Sequence, residues 1–269
     1  MDPHSLFGIA GLTWTVLGLI LVAALAAGWV DAVIGGGGLI QLPALLLIPG
    51  ISPISALATN KFASIFGTTT SAITYRRRTR TELRSIVPIA VAALVGSAGG
   101  AALAARLPVA VLKPVVVAAL IGVVIFTIVR PKLGTGTAAD AGASRRVPLA
   151  LAIGALIGGY DGLIGPGTGA FLIFALVGRL RLDFLRASAK AKVINVATNL
   201  GALAYFVPQG WVHWPLGLVL AAANLAGGYL GARTAIARGS GFIRAAFLMV
   251  SGVLITKLCW ETWGAALFG

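Results

Sequence analysis

The stretch Gly159-Tyr160-Asp161-Gly162-Leu163-Ile164-Gly165-Pro166-Gly167-Thr168-Gly169 ends one long apolar run and opens another. Pro166 lacks a backbone N–H, and its flanking glycines admit dihedrals that other residues avoid, so a helix entering this stretch breaks in it. The half-helix that follows presents free N–H groups at the break, where the positive end of its dipole can hold an anion. A carboxylate, Asp161, stands just ahead of it.

A second such stretch lies 130 residues earlier: Asp31-Ala32-Val33-Ile34-Gly35 aligns with Asp161-Gly162-Leu163-Ile164-Gly165 and runs on into Gly36-Gly37-Gly38. After a one-residue slip in the glycines the offset becomes 131 and stays there. Lys61 then falls on Lys192, Ser64 on Asn195, Thr68 on Asn199, Gly96 on Gly227, Gly100 on Gly231 and Lys113 on Arg244. A constant register over four segments reads as a duplication.

Around these breaks the apolar segments run at 12–34, 39–48, 53–75, 85–105 and 109–129, and then at 148–164, 169–178, 183–207, 214–235 and 241–259. Crossing the hydrocarbon takes about 20 apolar residues, so 39–48 and 169–178 are half-helices or re-entrant arms. Of the 269 residues, 58% are hydrophobic and 10% charged, where a soluble domain has about 25% charged residues. That excludes a soluble globular enzyme, a disordered chain and a nucleic-acid-binding module, despite a net charge of +14.

The basic residues cluster between segments: Arg76, Arg77, Arg78, Arg80 and Arg84; Arg130, Lys132, Arg145 and Arg146; Arg179, Arg181 and Arg186; Arg233, Arg238 and Arg244. Such clusters mark cytoplasmic loops. Segment 53–75 ends at one, whereas its counterpart 183–207 begins at one and ends at the uncharged turn Pro208-Gln209-Gly210. Equivalent helices therefore cross in opposite directions, and both termini fall outside. Trp14, Trp211, Trp214, Trp260 and Trp263 gather at the outer end as an interfacial belt, with Arg106, Lys113 and Lys257 as exceptions to the charge rule. The first segment lacks a basic leader and reads as a span.

The predicted fold is an all-α integral membrane protein, an inverted-repeat helical bundle of two five-segment halves with glycine-broken or short half-helices, about 8–10 membrane segments in all. The N-terminal repeat covers 1–135, a cytoplasmic linker 136–147 and the C-terminal repeat 148–269.

Lys61 sits roughly 12 Å into its span at about 1.5 Å per residue. An ammonium there faces the bundle interior or a watery path. Lys61, Ser64, Thr68 and Ser71 share one helical face, as do Lys192, Asn195 and Asn199. Two stripes pairing a cation with hydroxyl or amide donors suit an oxyanion; the competing reading has each lysine snorkelling or paired with Asp31 or Asp161. Lys190 is off the stripe and is expected to snorkel. Asp31 and Asp161 either carry a coupling proton or sodium ion, or serve only as partners of lysines and backbone N–H groups. Gly96/Gly100 and Gly227/Gly231 are expected to be packing sites. Replacing Lys61 or Lys192 by Ala is expected to weaken substrate binding and leave the fold intact.

These residues resemble the TauE/SafE family of membrane permeases. The resemblance is carried by Gly28-Trp29-Val30-Asp31 leading to Gly35–Gly38, by Thr59-Asn60-Lys61, and by Gly159–Gly169, and it extends from about residue 12 to 258. It implies export or uptake of sulfite, organosulfonates such as sulfoacetate, or related sulfur oxyanions, in the bacterial cytoplasmic (inner) membrane. Combined with the repeat, the candidate substrate-binding set is Asn60, Lys61, Ser64, Thr68, Lys192, Asn195, Asn199, Gly36, Gly37, Gly38, Gly167 and Thr168, with Asp31 and Asp161 as coupling candidates.

The implied partners are a small anionic substrate, the lipid bilayer and a coupling proton or sodium ion; oligomeric state stays open. No cofactor, metal or catalytic residue is implied. His4 and His213 have no ligand or triad spacing, and Cys259 is the only cysteine. The glycine runs are not followed by the Gly-Lys-Ser/Thr of a nucleotide-binding loop. An intramembrane aspartyl protease lacks its Gly-x-Gly-Asp motif here. A passive anion channel is the serious alternative to a carrier, and a transporter of another small organic anion is the other alternative.

Overall fold

A computed structural model describes residues 7–9, 12–79, 84–108, 110–111, 147–180 and 182–259. The expected span 109–129, the linker 136–147 with the repeat boundaries beside it, and Arg80, Lys113, Arg130, Lys132, Arg145, Arg146, Arg181, Trp260 and Trp263 lie in whole or in the main outside the described residues. For Arg179, Arg244, Lys257 and Cys259 the backbone alone is described.

The described residues form eight helices and no strands: α1 (Trp14–Ile34), α2 (Gly38–Leu46), α3 (Pro53–Thr79), α4 (Val87–Arg106), α5 (Val147–Leu163), α6 (Thr168–Leu180), α7 (Phe184–Phe206) and α8 (Trp214–Cys259). Thr13 caps α1 by accepting the Val16 N–H, and Asp183 caps α7 by accepting the Arg186 N–H. The segments expected at 214–235 and 241–259 are joined without a loop. Gly239, at φ 72° and ψ −171°, interrupts α8 as a single non-helical residue. A glycine can take this left-handed φ without a Cβ clash, so one residue re-aims the helix where a loop was expected.

By length and composition, α1, α4 and the first part of α8 (Trp214–Ile243) are long and apolar enough to cross a membrane. Leu19, Val22 and Leu25 on α1, Val87, Val91 and Val95 on α4, and Leu218, Leu225 and Leu230 on α8 are exposed. Outward rows of this kind would be a liability in water and suit hydrocarbon.

The helices pair with exchanged partners. α1 packs along α8 and α4 along α5, α3 packs on α8 and α7 on α4, and α3 and α7 meet each other. Both long contacts are close because they run through glycines. A Cβ at Gly96 or Gly100 would strike the backbone of Ala155 or Gly159, and one at Gly227 or Gly231 that of Leu25 or Trp29. These glycines are packing sites, as the sequence implied.

Two apolar clusters share these helices: one takes Leu17, Ile20, Ala24, Leu42, Leu57 and Leu216, the other Val33, Tyr75, Phe174, Phe184, Ala232 and Ile243. On α3 the buried Thr68 and Ser71 fall between Ala63 of the first cluster and Tyr75 of the second.

Candidate functional site

Both breaks form where the glycines stand. α1 ends at Gly35 (φ 79°), whose N–H donates to Asp31 O at 2.8 Å. α5 ends before Gly165 (φ 91°), and Gly167 (φ 79°) turns the chain into α6. The second break is braced: the Tyr160 hydroxyl donates to Pro166 O and the Thr168 hydroxyl to Gly165 O, each at 2.7 Å. The two breaks cross in contact. A Cβ on Gly35 would lie within the backbone of Gly169, and one on Gly38 would meet Pro166 at 3.1 Å. No residue larger than glycine fits the Gly35–Gly169 crossing.

Against this crossing lies a small polar cavity of about 30 Å³. Asn60, Lys61, Ser64 and Thr68 of α3 line it, with Asn195 and Asn199 of α7, Asp31 of α1, Gly35 of the first break, Gly38 of α2, Asp161 of α5, and Gly165, Gly167, Thr168 and Gly169 of the second break. The structure thus brings together most of the candidate residues. Gly36 and Gly37 lie outside the lining. Gly37 faces Ala27 O and the Asp31 side chain, while Gly36 faces the Leu39 and Val30 side chains. Lys192 also stays out of the lining, because it is completely buried behind Asp31.

The lysines are paired crosswise between the halves. Lys61 Nζ stands 2.6 Å from Asp161 Oδ2, and Lys192 Nζ 2.8 Å from Asp31 Oδ2. This is the pairing alternative of the sequence reading, and it occurs at the cavity itself. The two pairs differ in setting. Asp31 Oδ2 accepts hydrogen bonds from Lys192 and from the Thr68 hydroxyl, the latter at 3.3 Å. Asp161 Oδ2 has its ionic contact with Lys61 but no aligned hydrogen bond. A Cβ on Gly165 would stand 3.1 Å from Lys61 Nζ, so the second break lies directly beside that ammonium.

Two buried carboxamide oxygens in the lining, Asn60 Oδ1 and Asn195 Oδ1, have no hydrogen-bond partner. Ser71, the last residue of the first stripe, turns away from the cavity. Its hydroxyl bonds to the carbonyls of Gly67 and Gly228 at 2.8 and 3.1 Å. Lys190 donates to Ser85 Oγ at 3.1 Å.

Two polar links were missed in the sequence. Asn224 on α8 donates to Gln41 Oε1 on α2 at 2.6 Å, and both residues are buried. A lone amide in each of two apolar segments was the available signal. The His213 N–H donates to Thr59 Oγ1 at 3.0 Å, tying the turn before α8 to the residue beside Asn60. Burial holds the His213 imidazole below its usual range.

The family model described as sulfite exporter TauE/SafE matches residues 19–258. A probable membrane transporter protein, ORF9, of Sinorhizobium sp. is 35% identical over 250 residues, 92% of this chain and 94% of the relative. The probable membrane transporter protein YfcA of Escherichia coli K12 is 33% identical over 264 residues, 97% of this chain and 95% of the relative. A probable membrane transporter protein of Haemophilus influenzae is 31% identical over 249 residues, 91% of this chain and 95% of the relative. No solved structure matches the chain significantly. The chain belongs to the sulfite exporter TauE/SafE family of membrane transporters.

Proposed function

We propose that this chain is a secondary transporter carrying small sulfur oxyanions, such as sulfite, sulfoacetate or related organosulfonates, across the bacterial cytoplasmic membrane. It works by alternating access and is coupled to a proton or sodium gradient. One observation carries the reading. Two glycine breaks converge on a small polar cavity whose lining combines an ammonium, hydroxyls and carboxamides. Lys61, Ser64, Asn60, Asn195 and Asn199 donate to the anion while the Thr68 hydroxyl stays on Asp31, and Gly38, Gly167 and Thr168 bring the starts of the half-helices to it. Lys192 acts from behind Asp31.

The inverted repeat, 1–135 against 148–269 across a cytoplasmic linker, is part of the proposal. Its support is the exchange of partners: Lys61 with Asp161 against Lys192 with Asp31, and α1 on α8 against α4 on α5. Both termini then lie outside, on the side away from the arginine clusters. A cavity of about 30 Å³ holds roughly two water molecules and no organosulfonate. The helices must therefore part to admit cargo, as alternating access requires.

The test is flux in proteoliposomes offered sulfite, sulfoacetate, sulfate and lactate at equal concentration, with and without a pH gradient. Saturable, exchangeable flux of a sulfur oxyanion supports the carrier. Equal, non-saturating permeation of all four contradicts it and indicates a channel.

A further inference from the structure

We propose that Lys61 and Asp161 form an exchangeable pair. The entering anion takes the Lys61 ammonium from Asp161, and the released carboxylate takes up one proton, which travels with the anion. This rests on the anion-carrier reading above and assigns its coupling ion and its coupling residue.

The asymmetry of the two crossed pairs points to Asp161. Lys61 is the one lysine that lines the cavity among the described residues, so an anion there meets Lys61 first. Lys192 is sealed behind Asp31, and that carboxylate is held by a second donor, Thr68. Asp161 Oδ2 has no aligned hydrogen bond besides its ionic contact. When Lys61 turns to the substrate, Asp31 keeps its donors and Asp161 keeps none that the structure shows. A buried carboxylate stripped of its cation neutralises rather than stay charged.

Charge balance leads to the same step. Asp31, Asp161, Lys61 and Lys192 together sum to zero, so an arriving anion adds uncompensated negative charge beside two carboxylates. A proton on Asp161 offsets one unit of it. The unpartnered oxygens Asn60 Oδ1 and Asn195 Oδ1 are acceptors in the same lining, suited to a carboxylic acid O–H and of no use to a carboxylate.

The surrounding groups do not compete for the proton. Tyr160, next to Asp161, donates its hydroxyl to Pro166 O, and Tyr75, near Asp31, donates to Ala32 O at 2.9 Å. On α7, Lys192 is held by Asp31 and Lys190 by Ser85. The titratable side chains of α4 and α6 are Arg106 and Arg179, at their far ends. The proton comes from water on the open side. It leaves on the other side as the anion departs and Asp161 recaptures Lys61.

The experiment is calorimetric titration of the purified transporter with sulfoacetate, near neutral pH, in two buffers of different protonation enthalpy. Sulfoacetate has no group titrating there, so any buffer dependence reports protons taken up by the protein. The expected result is about one proton per anion bound, lost in Asp161→Asn. Binding with no proton uptake overturns this proposal and leaves the carrier reading standing, whereas no binding of any sulfur oxyanion removes both. Uptake that persists in Asp161→Asn and vanishes in Asp31→Asn overturns the assignment. If Asp161→Asn does not fold, the two-buffer comparison on the wild type decides between uptake and none. Asp31→Asn, in which about one proton per anion should still be taken up, then supplies the variant control, and loss of uptake there overturns the assignment.

Discussion

Lys61 Nζ lies 2.6 Å from Asp161 Oδ2, each side chain less than a tenth exposed, the lysine from the first half of the chain and the aspartate from the second. Lys192 and Asp31 repeat the arrangement with the halves exchanged, at 2.8 Å. The charges at the centre of the bundle are thus neutralised between halves rather than within them. Any motion that separates the halves at this level must open an ion pair or hand one partner to a substrate.

This pairing revises the expected effect of removing a lysine. Lys61→Ala leaves the Asp161 carboxylate buried without its cation, which costs about 3–5 kcal/mol. We therefore expect Lys61→Ala to lower the melting temperature in detergent, and Lys61→Gln/Asp161→Asn to recover most of the loss. A double variant no more stable than the single one would show that the pair is not coupled.

At the crossing of the two breaks, Gly35 combines a left-handed φ with backbone contact to Gly169. Gly35→Ala adds both dihedral strain and overlap, and should cost about 3 kcal/mol or more. Gly99→Ala, with open space around it on exposed α4 surface, should be neutral or slightly stabilising. Monodispersity and thermal unfolding of the two variants test the contrast.

The buried amides form a separate tie. Asn224→Ala removes the donor to Gln41 Oε1 and leaves the Gln41 amide wholly unpaired, at a cost of about 1–3 kcal/mol. Gln41→Met in the same background should recover part of it. Melting temperatures of the four forms give the coupling.

His213 gives a pH dependence. Its folded-state value is lowered below 6.5 by burial, so the folded protein favours the neutral ring. The stability this contributes is complete above about 6.5 and is lost as pH falls from there through the folded-state value. The melting temperature of the wild type should therefore fall more on acidification than that of His213→Gln. Parallel curves would exclude a role for this ring.

The breaks were legible because they are local chemistry: glycine and proline at 35–38 and 165–169 fix where a helix stops, whatever surrounds them. The stripes on α3 and α7 were legible for a similar reason, since helical periodicity places Lys61, Ser64 and Thr68 on one face. Three things were not. A repeat register shows which residues are equivalent, not which ones touch, so it left the partners of the lysines open. It also treats the copies as equals, whereas packing seals Lys192 and leaves Lys61 on the cavity. The continuation of α8 past Gly239 was hidden because one glycine with positive φ bends a helix as well as it ends one.

The most direct measurement is saturable sulfoacetate uptake into proteoliposomes by the wild type and by Lys61→Gln/Asp161→Asn, compared at equal incorporation and after both have passed a thermal-unfolding check. The double variant removes the cavity's ammonium without leaving a buried charge unpaired. The account predicts saturable uptake by the wild type and a loss of about tenfold or more in the variant. Wild-type uptake with unchanged affinity and rate in the variant would contradict it and place the anion elsewhere.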